Sequence, residues 1–281
     1  MTAGLEFALG AMLFFGLGDL VYKRGAAAGA QAHHFLMVQT WVFLPTVIVY
    51  ALATGSLRFV GGSLWGVLAG LFILVGFYNF ALSLRSGSIS INAPVFRLSF
   101  VLTAALAVAF LSEPLTFFKL AGIALALAAA WLLLGGPVEG QRESREALVR
   151  VLIATAAVGV GNFVYSLGLR AGATPGSLMV AQAGIVCPLA TLFAAGVDRG
   201  IRPSRAALRT APMAAVALAL ASVFMVESMA RGQASVAVPI AQMGFVVTAL
   251  LGFLFLREEF TARKGAGIAA AVAALASLSL S

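Results

Sequence analysis

Long apolar runs constrain this chain more than any other feature of its sequence. Each run contains about 20 residues, the length that a helix needs to cross the hydrocarbon core of a bilayer. Hydrophobic residues make up 62% of the chain and charged residues 10%, whereas about 25% of residues are charged in soluble domains. A soluble globular protein is therefore excluded. The runs fall at residues 3–22, 33–53, 63–84, 90–111, 117–135, 148–169, 176–196, 211–229, 236–256 and 264–281.

These runs predict an all-α membrane protein with ten transmembrane helices. They are too long and too uniformly apolar for the alternating strands of an outer-membrane barrel. Ten spans occupy almost all of the 281 residues, so there is no room for a soluble catalytic domain. The HExxH, P-loop, CxxC and GxSxG motifs are also missing from the sequence. We therefore expect no enzymatic activity, no cofactor and no metal.

The chain repeats itself with an offset of 143 to 145 residues. Residues 15–30 (FGLGDLVYKRGAAAGA) and 158–173 (VGVGNFVYSLGLRAGA) agree at 8 of 16 positions. Residues 93–130 and 238–275 agree at 18 of 38 positions. Shared alanine and leucine do not explain the matches Pro94/Pro239, Glu113/Glu258, Thr116/Thr261, Lys119/Lys264 and Gly122/Gly267.

The duplication predicts two inverted halves. Each half contains five spans, and five is odd, so the second half enters the membrane from the opposite side. The predicted organisation is a five-helix repeat at 1–137, a polar linker at 138–147 and a second five-helix repeat at 148–281. This architecture is typical of secondary transporters, whose substrate sites lie near the midplane between the halves.

The matched segments of spans four and nine resemble a known family. They read AP-x₂-RLSFVLTA…LSEPLT…K-x₂-G and VP-x₂-QMGFVVTA…LREEFT…K-x₂-G. In these segments the chain resembles the drug/metabolite transporter superfamily, and within it the ten-helix bacterial exporters with two EamA-type repeats. The resemblance covers almost the whole chain and implies a multi-pass inner-membrane exporter of small metabolites, amino acids or drugs, driven by exchange or protons. Many relatives have Trp-Gly in span one, where this chain has FGLGD at 15–19.

Arg97 is the clearest charge inside a run, in the middle of the segment PVFRLSF. A charge inside a membrane is costly and is by default a functional candidate. A guanidinium pairs well with carboxylate or phosphate, so one interpretation is that Arg97 receives the anionic group of a substrate. The other is that it pairs with an internal acid or with carbonyls freed by Pro94. Its repeat mate is the neutral Gln242.

Asp19 lies near the end of span one, and its repeat mate is Asn162. One half of the chain can therefore titrate at this position and the other cannot. One interpretation is that Asp19 carries a proton or meets a substrate amine. The other is that it is an interfacial acid, or one paired with Lys23 or Arg97.

Three other acids lie within or at the ends of spans. Glu227 either faces the bundle interior or pairs with Arg231, and the i,i+4 spacing favours the pair. With Asp19 it is a candidate for coupling transport to an ion gradient. Glu113 and Glu258 end spans four and nine in matched fashion, and we expect each to cap the turn before the next helix.

Neutral polar residues complete a predicted substrate cavity. Each one alone is more often a helix–helix hydrogen bond, worth about 0.6 kcal/mol, but as a set they suit a small polar or amphipathic ligand. The matched prolines Pro45, Pro94, Pro188 and Pro239 predict either bending gates or fixed packing geometry. The predicted substrate-binding residues are Arg97, Asp19, Tyr22, Gln39, Trp41, Tyr78, Asn79, Ser99, Asn162, Tyr165, Gln182 and Gln242, with Thr103 and its mate Thr248 nearby.

The basic residues predict an orientation that disagrees with the resemblance. Loops after odd-numbered spans carry 13 Lys and Arg residues and the other loops carry 4. The positive-inside rule then places both termini outside, whereas the resemblance implies both termini inside. Because the basic residues lie at run ends, the net charge of +8 indicates lipid headgroups and not nucleic acid. His33 and His34 begin span two and are expected at the membrane interface.

The predicted function is a secondary transporter that exports amino acids or related small metabolites by alternating access. The expected partners are the bilayer and a small-molecule substrate, and the chain is expected to act as a monomer or a homodimer. Two alternatives keep the fold: an exporter of drugs or amphipathic cations, with Asp19 or Glu227 essential and Arg97 dispensable, and a lipid or lysolipid flippase. A membrane scaffold without transport is a further alternative.

Overall fold

The computed structural model describes residues 2–86, 89–135, 144–256 and 261–281. Residues 138–143 of the predicted linker and Glu258 lie outside these ranges. Within them, every regular element is a helix, including a short 3₁₀ turn at Gly61–Ser63. The α-helices are α1 (Thr2–Ala27), α2 (Ala32–Ala53), α3 (Leu64–Ser86), α4 (Ile89–Arg97), α5 (Ser99–Leu111), α6 (Phe117–Leu134), α7 (Arg145–Arg170), α8 (Pro175–Asp198), α9 (Arg205–Arg231), α10 (Ala234–Gln242), α11 (Gly244–Leu256) and α12 (Ala262–Ser279).

The helices form ten spans, because α4 with α5 and α10 with α11 each make one span. Nine spans, from Gly4–Tyr22 to Ala234–Leu254, are long and apolar enough to cross a membrane, counted over the described residues. The tenth is α12, which packs along α6, its equivalent in the first half. The predicted all-α fold of ten helices in two repeats is confirmed. With an even number of spans, both chain termini lie at one end of the bundle, called here the termini end.

Spans four and nine are interrupted at equivalent positions, Leu98 and Met243. Each lies four residues after the proline of its span, Pro94 or Pro239. At each interruption the backbone N–H bonds to a carbonyl three residues back, at 3.0 Å in span four and 3.1 Å in span nine. This tighter turn breaks the α-helical pattern. The matched prolines of spans two and seven lie inside the unbroken helices α2 and α8.

The helix contacts follow the inverted repeat. Helix α1 packs along α9 and α3 along α7, and these two pairs exchange when each span is replaced by its mate. The repeat is also kept at the level of atoms. Thr103 Oγ1 donates to the carbonyl oxygen of Gly159 at 2.9 Å, and its mate Thr248 donates to that of Gly16 at 3.1 Å. Each threonine therefore joins its span to the first span of the other half.

Glycine makes this close approach possible in both halves. A Cβ atom on Gly16 would lie 2.7 Å from the carbonyl oxygen of Gly244, and one on Gly159 would lie 2.9 Å from that of Ser99. Neither position has space for a side chain. Small residues at such crossings let helix backbones pack closely in a membrane.

Lys119 is an exception to the expectation that lysines and arginines other than Arg97 lie at loop ends. Its side chain is fully buried in the first turn of α6. Nζ donates to the carbonyl oxygen of Pro114 and to Oε1 of Gln233, both at 2.6 Å. A buried ammonium requires such partners, and here the second half of the chain supplies one of them.

Glu113 caps a helix of the second half. The sequence predicted instead that it would cap the turn before the next helix of its own half. Its carboxylate accepts the backbone N–H groups of Ala234 and Ser235, both at 2.9 Å. These residues form the first turn of α10 in the second half. The free N–H groups and the dipole of a helix N-terminus favour a carboxylate there, and the end of span four lies beside the start of span nine.

Candidate functional site

Arg97 lies at the interruption of span four and contacts both halves of the chain. Its Nη2 donates to Asp19 Oδ2 at 2.9 Å, and its Nη1 donates to Gln242 Oε1 at 3.1 Å. Nη1 also approaches the carbonyl oxygen of Gln242 at 3.4 Å. Arg97 therefore pairs with an internal acid, as the second interpretation of the sequence expected. Because Gln242 is its repeat mate, the two residues meet next to the axis that relates the halves.

The second half provides two further contacts to this ion pair. Thr248 Oγ1 lies 3.5 Å from Asp19 Oδ2, and the guanidinium carbon of Arg97 lies 5.7 Å from the centre of the Phe245 ring. A cation is attracted to an aromatic face at this distance. The side chain of Arg97 is 14% exposed and that of Asp19 is 38% exposed. The guanidinium is thus largely enclosed, whereas the carboxylate is open on one side.

The equivalent position in the second half has no ion pair. Asn162, the mate of Asp19, is buried, and its Nδ2 has no hydrogen-bond partner in the described part of the chain. Ser99 is also buried, and its Oγ likewise lacks a partner there. Tyr165 is fully buried in the apolar core. The two halves therefore differ at the position of the carboxylate.

A cavity of about 50 Å³ lies between α1, α2, α3, α8 and α9. Tyr22 lines it and donates its hydroxyl to Oε1 of Gln39. Tyr22 follows Asp19 by three residues, so the two share one face of α1. Gln182, the mate of Gln39, lines the same cavity, and no described residue bonds to its Oε1. The cavity has room for a few water molecules.

Three predicted site residues contact other partners. Trp41 Nε1 donates to a threonine hydroxyl of α8 at 2.8 Å. Asn79 Oδ1 accepts Arg150 Nη1 at 3.1 Å. Tyr78 packs edge-on against the ring of Phe193, with centroids 4.9 Å apart. All three contacts join α2 or α3 to helices of the second half, as expected of helix–helix contacts.

Glu227 is tied to its neighbours near the C-terminal end of α9. Its carboxylate accepts hydrogen bonds from Arg231 Nη1 and from the Tyr50 hydroxyl. The guanidinium of Arg231 also lies 4.4 Å from the centre of the Phe7 ring. The i,i+4 pair that the spacing favoured is confirmed.

His33, His34 and Asp198 join the start of α2 to the end of α8. Asp198 Oδ2 lies 3.1 Å from His33 Nε2 and 2.6 Å from His34 Nε2. These residues carry donor atoms of the kinds that transition metals take, all within 4.8 Å of one another. The separation of 2.6 Å is that of a hydrogen bond, so the group is a hydrogen-bonded contact between two helix ends.

Both halves of the chain match one family. The model of the EamA-like transporter family matches residues 2–135 and 146–280. The chain belongs to the EamA-like transporter family. The protein is therefore a multi-pass membrane transporter of the drug/metabolite superfamily, and the family consists of transporters and not enzymes. This confirms the resemblance that the sequence predicted.

Solved structures share the fold of this EamA-like transporter. One crystal structure of a protein superposes on this chain with a TM-score of 0.83 at 18% sequence identity. The alignment covers 100% of this chain and 97% of that chain. The search of curated proteins found no match.

Two candidate residues of this EamA-like transporter, Phe245 and Ser166, are not among those predicted from the sequence. Phe245 follows Gln242 by three residues, so the helical spacing could have placed its ring near the repeat mate of Arg97. Ser166 follows Asn162 by four residues and lies on the same face of α7. Its hydroxyl is buried and has no partner within the described ranges. Its i,i+4 spacing from Asn162 is the sequence signal that indicates it.

Proposed function

We propose that this EamA-like transporter exports amino acids or related small metabolites across the bacterial inner membrane by secondary active transport. The contact between Asp19, Arg97 and Gln242 carries the proposal. Charges inside a membrane are rare and usually mark a transport pathway. Here an opposite-charge pair lies next to the axis between the halves, where inverted-repeat transporters bind substrate.

The charges of this pair favour a zwitterionic substrate. If the substrate carboxylate replaces Asp19 on Arg97, and the substrate ammonium meets the freed Asp19, both internal charges remain paired. An amine alone would leave Arg97 without a partner, and a carboxylate alone would leave Asp19 without one. Leaving one charge of a buried pair unpaired is strongly unfavourable. The fork of Arg97 also matches the geometry of a carboxylate.

Alternating access then involves the contacts between the two halves. The Arg97–Gln242 hydrogen bond lies between them and next to the interruptions at Leu98 and Met243. An interrupted helix bends at lower cost than a continuous one, because fewer backbone hydrogen bonds are lost. The spans of the two halves cross in close contact at Gly16 and at Gly159. In this proposal these crossings stay in contact while the halves rotate about them.

Asp19 is the proposed coupling residue. It is the acid in the contact between Asp19, Arg97 and Gln242, and its repeat mate Asn162 cannot titrate. Proton exchange at Asp19 would therefore depend on whether Arg97 or the substrate occupies its carboxylate. Glu227 is less suited to this role, because Arg231 and Tyr50 already occupy it. A monomer contains all of these residues, so the proposed site needs no second copy of the chain.

Uptake into proteoliposomes tests the proposal. The panel contains amino acids, amphipathic cations and lysolipids, with and without a pH gradient. We expect flux of amino acids. This flux should be faster when the pH gradient drives protons in the direction opposite to the substrate. Flux of cations that Asp19→Asn abolishes and Arg97→Ala spares would support the drug exporter instead. Lysolipid flux alone would support the flippase, and no flux with any gradient would support a scaffold.

A further inference from the structure

A second, larger cavity lies at the termini end of the bundle. Its volume is about 230 Å³, and it is lined by residues from the ends of α5, α7 and α9 and from the start of α10. The polar side chains among its lining residues are those of Glu113, Ser166 and Arg170. The cavity therefore lies between the two halves, on one side of the membrane, and its lining is partly polar.

Ser166 points to a ligand in this cavity. The residue is 5% exposed, and its Oγ has no hydrogen-bond partner within the described ranges. A buried hydroxyl without a partner is unfavourable, and a folded protein normally pairs it. A polar group bound in the cavity would supply the missing hydrogen bond.

The charged groups of the cavity have opposite signs. Arg170 is exposed at the end of α7, and its Nη2 donates to the carbonyl oxygen of Leu111 at 2.6 Å. Over the residues that the structure describes, no carboxylate lies within ion-pair distance of its guanidinium. Glu113 is the acid of the cavity, and the N-terminus of α10 holds its carboxylate in place. The site thus offers a cation and a hydroxyl together with a fixed carboxylate.

A polar face of α7 leads from this cavity toward the centre of the bundle. Gly159, Asn162, Ser166 and Arg170 follow one another at intervals of three or four residues, so they share one face of the helix. The backbone at Gly159 packs against Ser99, beside the interruption of span four. Asn162 and Ser99 are buried and each has an unpaired polar atom among the described residues. The polar face therefore extends to span four near Arg97.

We propose that this cavity is a vestibule that binds a small zwitterion before it reaches, or after it leaves, the Arg97 site. The carboxylate of the ligand contacts Arg170 and the hydroxyl of Ser166, and its ammonium faces Glu113. The choice of a zwitterion rests on the proposed function, whereas the site itself rests on the cavity, its opposite charges and the unpaired hydroxyl.

Protection of a cysteine at the cavity mouth tests this proposal. Ala230 lines the cavity and is exposed, so Ala230→Cys places a thiol there. The native Cys187 is replaced by alanine to leave one thiol. The purified full-length protein is labelled with a small thiol reagent in the presence of proteinogenic amino acids, tested singly. Each amino acid is compared with the amine and the carboxylic acid that retain only one of its charged groups.

We expect at least one amino acid to slow the labelling, and its one-charge analogues to have little effect. Adding Ser166→Ala should raise the protecting concentration about five- to tenfold, the effect of one hydrogen bond, without lowering Tm. The control Ser228→Ala removes a hydroxyl that donates to the Gly4 carbonyl oxygen at 2.6 Å. It should lower Tm and leave protection unchanged.

Three results would overturn the vestibule: no amino acid protects, a one-charge analogue protects equally well, or Ser166→Ala leaves protection unchanged. These outcomes are separate from failure of the proposed function. Labelling measures binding at equilibrium and needs no flux, so protection should persist in a variant that also carries Arg97→Ala. Loss of transport with retained protection would leave the vestibule in place.

Discussion

Arg97 and Gln242 occupy equivalent positions in the two repeats, and the Nη1 of one donates to the Oε1 of the other at 3.1 Å. Two residues related by a two-fold axis contact each other only close to that axis. The arginine is therefore held where the halves meet, with Asp19 as its ionic partner. Any alternating-access movement of one half relative to the other must therefore rearrange the contacts between Arg97, Gln242 and Asp19.

Gln242→Glu should weaken substrate binding without unfolding the protein. The substitution places a second carboxylate beside Arg97, where it competes with the substrate carboxylate. A hydrogen bond to a charged group contributes about 1.5–3 kcal/mol, so we expect KM to rise about tenfold or more with little change in Tm. Initial rates of uptake into proteoliposomes measure KM. An unchanged KM would mean that the substrate does not use this side of Arg97.

Gly16→Ala should destabilise the bundle. Its added Cβ would meet the carbonyl oxygen of Gly244 at 2.7 Å, and overpacking of this kind costs about 1–3 kcal/mol. The matched control is Gly196→Ala in α8, where a Cβ would have no neighbour within 4 Å. Thermal unfolding in detergent should give a lower Tm for Gly16→Ala only. Equal Tm values would show that the helices can separate at this crossing.

Lys119→Met should also lower stability, although it replaces a charge with an apolar side chain of similar length. The substitution leaves Oε1 of Gln233 and the carbonyl oxygen of Pro114 without their donor. Losing a charged hydrogen bond costs about 1.5–3 kcal/mol. Arg58→Met is the control, because Arg58 is exposed. If both variants unfold at the same temperature, the ammonium of Lys119 contributes nothing.

Glu227→Gln should retain most of the transport activity. The carboxylate is already engaged by Arg231 and Tyr50, and an i,i+4 ion pair on a helix contributes about 0.3–0.5 kcal/mol. We expect less than a threefold change in uptake and an unchanged dependence on the pH gradient. Loss of the pH dependence in this variant, with retention in Asp19→Asn, would assign coupling to Glu227.

The orientation of the chain is tested by a reporter fused after Ser281. The count of 13 basic residues against 4 predicts that both termini lie outside the cytoplasm. A reporter that is active only in the cytoplasm should therefore give little signal. Strong signal would reverse the orientation and support the one that the resemblance implied.

The elements that depend on local sequence were predictable. Run length gave the ten spans, and the repeated segments gave the two halves. The spacing between Glu227 and Arg231 was enough to predict their pair, because residues four apart on a helix are neighbours. The same local reasoning found Asp19 and Arg97 as charges inside the spans and gave their pairing as one alternative.

The contacts that depend on how helices meet were not predictable. Lys119 and Glu113 are at the ends of runs, yet their partners Gln233 and Ser235 belong to the other half of the chain. The burial of Lys119 and the helix cap formed by Glu113 follow from the crossing of spans, which no single segment encodes. The proline in span four also gave no way to foresee that its helix would be interrupted while α2 and α8 remain continuous.

The most direct test of the central claim compares an amino acid with its decarboxylated amine as substrates of the wild type and Arg97→Ala. The account predicts that the wild type transports the amino acid and not the amine. It predicts that Arg97→Ala loses amino acid uptake by about 100-fold, because the substrate carboxylate then has no cation to pair with. The variant should still elute from gel filtration as a folded protein, because the Asp19 side chain is 38% exposed and can be hydrated, although its Tm is expected to fall. Undiminished amino acid uptake by folded Arg97→Ala would contradict the claim that Arg97 receives the substrate carboxylate.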